Sequence, residues 1–235
     1  MKKMKLFTNL VFALSAFVLI SCDKDEKENV PTSPEEFIEN PSVINAINES
    51  DFPVYSGNTP PALVGTYLSN GVVTDASYLL FETIGIPIRS EFILSKQTTS
   101  GKIDFEERVG GIKASGIGGY ITGANGKFTI YGESKQSGSE AGLPNDVSIT
   151  VVFLMSGTKS NNGNLTDVEG ISIITEATSR NNVYDLREIK GSWYKWEADF
   201  YLKTGNINPF VLQSTTNHSN QSLFKETLQN IMQIK

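Results

Sequence analysis

The chain has 235 residues with a net charge of -6, and removing the three lysines of its first five residues takes the remainder to about -9. That acidity, with no cluster of Lys or Arg to interrupt it, excludes a phosphate-backbone partner and so predicts no nucleic-acid binding. One Cys and one His exclude an intramolecular disulfide and any metal site built on those residues, and 20 Gly beside 13 Phe favour turn-rich β-structure over a helical bundle.

The first five residues are basic, and residues 10–20 form an apolar run broken only by Ser15. About 20 apolar residues are needed to span a bilayer, so this run is too short and reads instead as a signal peptide over residues 1–21. It ends in Leu19-Ile20-Ser21-Cys22, with the sole cysteine at the close of the apolar core. The arrangement resembles the lipobox of bacterial lipoproteins, which implies that Cys22 is acylated and becomes the mature N-terminus. No other cofactor is expected. Residues 22–35 read as a charged, lipidated tether. Its Lys24-Asp25-Glu26 resembles the surface-export signal of Bacteroidota lipoproteins, which implies an outer-membrane anchor with the remainder exposed at the cell surface.

Residues 36–60 read as a stem of short helices. Ser33-Pro34-Glu35-Glu36 combines a cap, a proline at the first helical position and an acidic first turn. Asn40-Pro41 stops that helix within two turns, and Ser42 is expected to cap a second piece through Val43, Ile44 and Ile47.

From residue 61 to 205 the apolar period changes to two. Residues 102–109 put Ile103, Phe105 and Val109 on one face with Lys102, Asp104, Glu106 and Arg108 on the other. Glu107 falls on the apolar side and is expected at a rim that reaches water. Asn125-Gly126 predicts a tight hairpin between 119–122 and 127–131. The strand from Val147 carries Val151, Phe153 and Met155 on one face, yet Val152 and Leu154 make its middle apolar on both, as where another element covers the outer side. Over residues 192–203, Tyr194, Trp196, Ala198, Phe200 and Leu202 share one face. Trp193, Lys195 and Tyr201 share the other and are expected to form a partly exposed patch for a ligand or partner. On this reading, truncating Trp196 costs about 3 to 5 kcal/mol and truncating Trp193 little.

With segments 63–70, 78–83, 90–97 and 183–189 the pattern predicts nine or ten strands and no crossover helices, hence antiparallel pairing. The fold class is all-β: an up-and-down barrel, with a sandwich as the alternative. Gly65-Thr66-Tyr67 resembles the Gly-x-Trp opening of lipocalins, with Tyr in place of Trp. Pro60-Pro61 before it and Ser156-Gly157-Thr158-Lys159 resemble features of uncharacterised Bacteroidota lipoproteins. That resemblance implies a lipocalin-like barrel on a membrane anchor. The glycines of 110–119 lack the Gly-x-Gly-x-x-Gly spacing of a phosphate loop and read as hairpin and bulge positions. Residues 206–235 form a tail whose Leu223, Phe224, Leu228, Ile231 and Met232 make one helical stripe.

No catalytic residue stands out. The single His218 lies in the polar tail, and Gly138-Ser139-Glu140-Ala141-Gly142 is no nucleophile elbow. The loop of residues 161–167 offers oxygen ligands but few carboxylates for calcium. The expected function is therefore a non-enzymatic, lipid-anchored binding module for an apolar molecule, a glycan or an envelope protein. A hydrolase using Glu106, Glu107 or Glu133 is the first alternative, and a structural or adhesion component the second.

Overall fold

The computed structural model describes residues 33–109, 112–137, 146–180 and 186–203. Eight antiparallel strands run in sequence order and close on themselves: β1 (Gly65–Ala76), β2 (Pro87–Ser95), β3 (Lys102–Val109), β4 (Ile112–Ala124), β5 (Lys127–Ser137), β6 (Val147–Lys159), β7 (Leu165–Ser179) and β8 (Trp193–Leu202). Each pairs with its neighbours in the chain, and β8 returns to β1 from Tyr67↔Leu202 to Ala76↔Tyr194. Closure leaves no open sheet edge, and short turns suffice because every pairing is antiparallel.

Two segments expected as strands are not. Residues Tyr78–Thr83 form a 3₁₀ helix, whose Leu80 is buried in the core at one barrel end. Residues 187–190 form a turn, and 183–185 lie outside the described residues, as do the leader, the tether through residue 32 and the C-terminal stripe. Both segments carry enough apolar residues to mimic a strand because they plug a barrel end: Leu186 and Ile189 join the same core. The Asn125-Gly126 hairpin forms as its sequence requires, with φ of 55° and 82° at the two turn residues, a conformation that Asn and Gly tolerate.

Alternation along the strands builds two separate cores. Inside the barrel lie Tyr67, Ile88, Phe92, Phe105, Ile130, Val151, Met155, Trp196 and Phe200, among others. Outside it, Tyr120, Tyr131, Val152, Leu154, Ile171, Ile173 and Trp193 form a second apolar surface, which the stem covers with Phe37, Val43, Ala46 and Phe52. The stem comprises α1 (Pro34–Glu39) and α2 (Pro41–Glu49). Pro41 takes the first position of α2, and Asn40, rather than Ser42, is its cap: the Ser42 amide donates to Asn40 Oδ1 at 3.0 Å. Phe37 meets Tyr120 edge-on and Tyr131 at a tilt, with centroids 6.2 and 6.1 Å away. Burying a side chain of this kind contributes about 1.5 to 3 kcal/mol, so the stem is part of the folded body and not a spacer. Among the described residues no helix is long and apolar enough to cross a membrane.

The chain then seals one barrel end. Residues 57–59 bond to Gly123, and the Leu63 amide donates to Gln97 Oε1 at 2.7 Å while Gln97 Nε2 donates to Pro61 O at 2.9 Å. Leu63 is fully buried, and the Tyr67 hydroxyl donates to its carbonyl at 2.9 Å. The Gly65-Thr66-Tyr67 opening thus begins β1, and its Tyr67 hydroxyl holds the buried Leu63 in place.

Candidate functional site

The barrel interior is layered by chemistry. Its middle holds five aromatic rings: Phe92, Phe105, Phe153, Trp196 and Phe200. Phe153 lies 6.0 Å from Phe92, 5.4 Å from Phe105 and 6.4 Å from Trp196, and Phe200 lies 5.3 Å from Phe92 and 6.0 Å from Trp196. Two glycines make room for them. A Cβ on Gly170 would stand 2.1 Å from the Trp196 ring, and one on Gly132 would stand 2.2 Å from Phe105, so any larger residue forces these rings into the lumen. Phe153 has Gly132 and Ser172 as its cross-strand neighbours and points inward with the others. Unlike Phe92 and Phe200, which are 1% exposed, it is only partly buried. Phe153 is thus the least buried of the five aromatic residues in the lumen.

Beside these rings stands a polar group of five. Glu107 lies on β3, directly opposite Phe92, and is 9% exposed. Ser90 precedes Phe92 by two residues on the same face of β2. Its hydroxyl lies 2.6 Å from that of Ser69, its partner on β1, and hydrogen-bonds the Glu107 carboxyl. Across the lumen, Tyr194 and Ser172 are paired on β8 and β7 and joined by a side-chain hydrogen bond. Burial pushes the Glu107 carboxyl up to about 8, with the Ser90 bond opposing, so the group is protonated at neutral pH. Burial likewise raises Tyr194; the Ser172 bond opposes, and the charge of Glu107 raises it further.

Glu107 is thus a buried carboxyl and not the rim residue its sequence position suggests. The reason is barrel closure: a residue at the centre of a flat sheet's apolar face could bend to an edge, whereas inside a closed barrel there is none. Glu106 and Glu133 do not join it. Glu106 points outward to the Arg108 Nε at 2.6 Å, and Glu133 sits opposite the outward-facing Val152.

The patch expected of Trp193, Lys195 and Tyr201 does not exist as such. These residues share the outer face of β8, but the stem covers its first half. Trp193 is 4% exposed and its Nε1 donates to Glu49 Oε2 at 3.0 Å. Lys195 donates to the carbonyl of Ser50 at 2.8 Å and pairs with Glu169 at 3.3 Å. Tyr201 alone is exposed, eight residues and roughly 27 Å of strand from Trp193. Cys22, Lys24, Asp25 and Glu26 lie outside the described residues.

A groove of about 640 Å³ opens instead on the outer face between β7, β8 and β1, with Asp167, Glu169, Glu197 and Asp199 along it. It follows the bulge at Asp167, where φ is 51° and two residues of β7 fit between the partners of Ala198 and Phe200. Among the described residues no group of His, Cys, Asp and Glu is arranged to hold a metal ion. In the 161–167 loop Asn162 Oδ1 accepts from the Asn164 amide and Asn164 Oδ1 accepts from the Leu202 amide of β8, each at 3.0 Å.

Three signals in the sequence would have located the lumen site: a carboxylate on the apolar face of β3, and the glycines at 132 and 170 on the apolar faces of strands. No family model matches the chain, and no curated protein or solved structure matches it.

Proposed function

We propose that this chain is a lipid-anchored binding module of the cell envelope, non-enzymatic, that holds a small and largely apolar ligand inside its barrel. The observation that carries the reading is Phe153, a lumen-facing aromatic residue that is not fully buried, within an interior that also holds a buried, protonated carboxyl. Pockets with apolar walls and a few placed polar groups are what small ligands occupy. The lipobox at Leu19-Ile20-Ser21-Cys22 and the resemblance to Bacteroidota surface lipoproteins support the anchor and the location. Replacing Cys22 with Ala is expected to move the protein from the membrane pellet to the soluble fraction; retention in the pellet would end the lipobox reading.

The lumen can be tested with N-phenyl-1-naphthylamine, a neutral fluorescent probe. The chain has two tryptophans, so a Trp193→Phe background leaves Trp196 as the sole intrinsic reporter, next to Phe153. Probe binding should brighten the probe and quench Trp196 together. Adding Phe153→Arg should weaken binding tenfold or more, by filling the space and placing a charge there. Equal affinity in that variant would place the probe elsewhere and remove the support for a lumen site.

A hydrolase needs two facing carboxylates, and Glu107 is the one carboxylate among the described inward-facing side chains, which favours the outer groove as the place for that reading. There Glu169 and Glu197 are direct cross-strand neighbours. The stem's burial of Trp193 argues against a glycan stacked on the first half of β8.

A further inference from the structure

Resting on the lumen reading above, we propose that the ligand is an organic cation, an ammonium group with apolar substituents, seated against the rings of Phe92, Phe105 and Phe153 with Glu107 as its counter-charge. The placement of these four side chains carries the proposal. Phe105 and Glu107 are successive inward residues of β3, and Phe92 faces Glu107 directly from β2. Phe153 lies across from both rings, at 6.0 Å from Phe92 and 5.4 Å from Phe105, and is the least buried of the three. Aromatic faces carry negative potential, and a desolvated ring cluster with an ionisable carboxyl beside it attracts ammonium groups and brings no positive charge to an anion.

The groups around Glu107 add no competing charge. From β2 it meets Ser90 and Phe92, β4 places Ala114 in register with it, and across the lumen stand Ser172 and Tyr194. No Lys, Arg or His lies among the described inward-facing side chains. A purely apolar ligand would use the rings and leave Glu107 without a purpose, although burying a carboxyl weakens the fold. Residues that break the packing rules of their surroundings mark functional sites, and a counter-ion is the role this one's chemistry offers.

The proton balance is explicit. In the empty barrel Glu107 keeps its proton up to a pH of about 8. A permanent cation in contact with it stabilises the carboxylate, so one proton leaves to solvent for each cation bound. Tyr194 and Tyr67, both raised by burial, keep their protons throughout.

Benzyltrimethylammonium is a suitable probe because its charge does not titrate, and neopentylbenzene is its neutral isostere. Calorimetry on the wild-type protein between pH 6 and 9 should show cation affinity rising about tenfold per pH unit, then levelling above about 8. Buffers of different ionisation enthalpy should report close to one proton released at pH 7. Neopentylbenzene should bind more weakly than the cation at pH 8.5 and without pH dependence. Glu107→Gln, which keeps the shape of the protonated acid, should lose the pH dependence and at least tenfold of cation affinity at pH 8.5. The proposal is overturned by a flat profile, by an isostere that binds as tightly as the cation, or by an affinity that falls with pH. That last result would make Glu107 a donor to a neutral acceptor. Binding of N-phenyl-1-naphthylamine without the cation refutes the cation alone, whereas exclusion of both probes removes the lumen reading as well.

Discussion

Truncating Trp193 to Ala is expected to cost about 3 to 5 kcal/mol, as much as truncating Trp196, although only Trp196 lies inside the barrel. Both are 4% exposed. Trp196 covers Gly170 and stacks with Phe153 and Phe200 at interplanar angles of 23° and 25°. Trp193 sits on the opposite face, in the cluster the stem makes with Val43, Ala46 and Ile173, and its indole N–H is bonded to Glu49. The two losses should differ in kind. Trp196→Ala leaves a cavity within the barrel and should lower the urea midpoint without exposing the stem. Trp193→Ala removes the surface on which α2 rests and should open the stem to proteases well below the global midpoint. Trp193→Phe, which keeps the ring and loses the hydrogen bond, should cost about 1 kcal/mol. A Trp193→Ala cost below 1 kcal/mol, with the stem still protected, would mean that the stem is held from elsewhere.

That pair of residues also shows how far the sequence could be read. Alternation along β8 assigned Trp193 and Trp196 to opposite faces correctly, because the period of two is a local property of extended backbone. It could not say what lay over the outer face. Val152 and Leu154 point to a cover on β6, and Val43, Ile44 and Ile47 are apolar residues of the expected stem, but pairing the two surfaces needs the tertiary fold. Antiparallel pairing is legible from short connections without crossover helices, whereas closure into a barrel is the favoured of two readings that the same connections allow, the other being a sandwich. The number of strands is not legible, because Leu80, Leu186 and Ile189 are apolar for a different reason: they plug a barrel end. The alternation along β3 places Glu107 on an apolar face. Its burial follows from closure and from Phe92 opposite, neither of which a single strand's pattern contains.

The pH dependence of stability should expose Glu107 directly. Its ordinary value is 4.5 and its folded value about 8, so below pH 4.5 both states hold the proton and burial carries no ionisation penalty. Between those values the unfolded chain releases the proton while the native barrel keeps it. Unfolding then gains with each pH unit, about 1.36 kcal/mol at the limit, and the loss levels off above about 8. Between pH 5 and 8 wild-type stability should fall by up to about 4 kcal/mol from this group, on top of whatever other groups contribute. Glu107→Gln removes that component alone, so the difference between the two proteins cancels the rest. Urea unfolding at pH 5, 6, 7 and 8 should find the variant gaining steadily on the wild type and more stable at pH 8. Parallel profiles would show that Glu107 ionises freely in the native state, which requires a hydrated lumen around it. A protein improved by so conservative a change retains the original residue for something other than folding, and Glu107 is where the stability of this barrel and its binding chemistry pull in opposite directions.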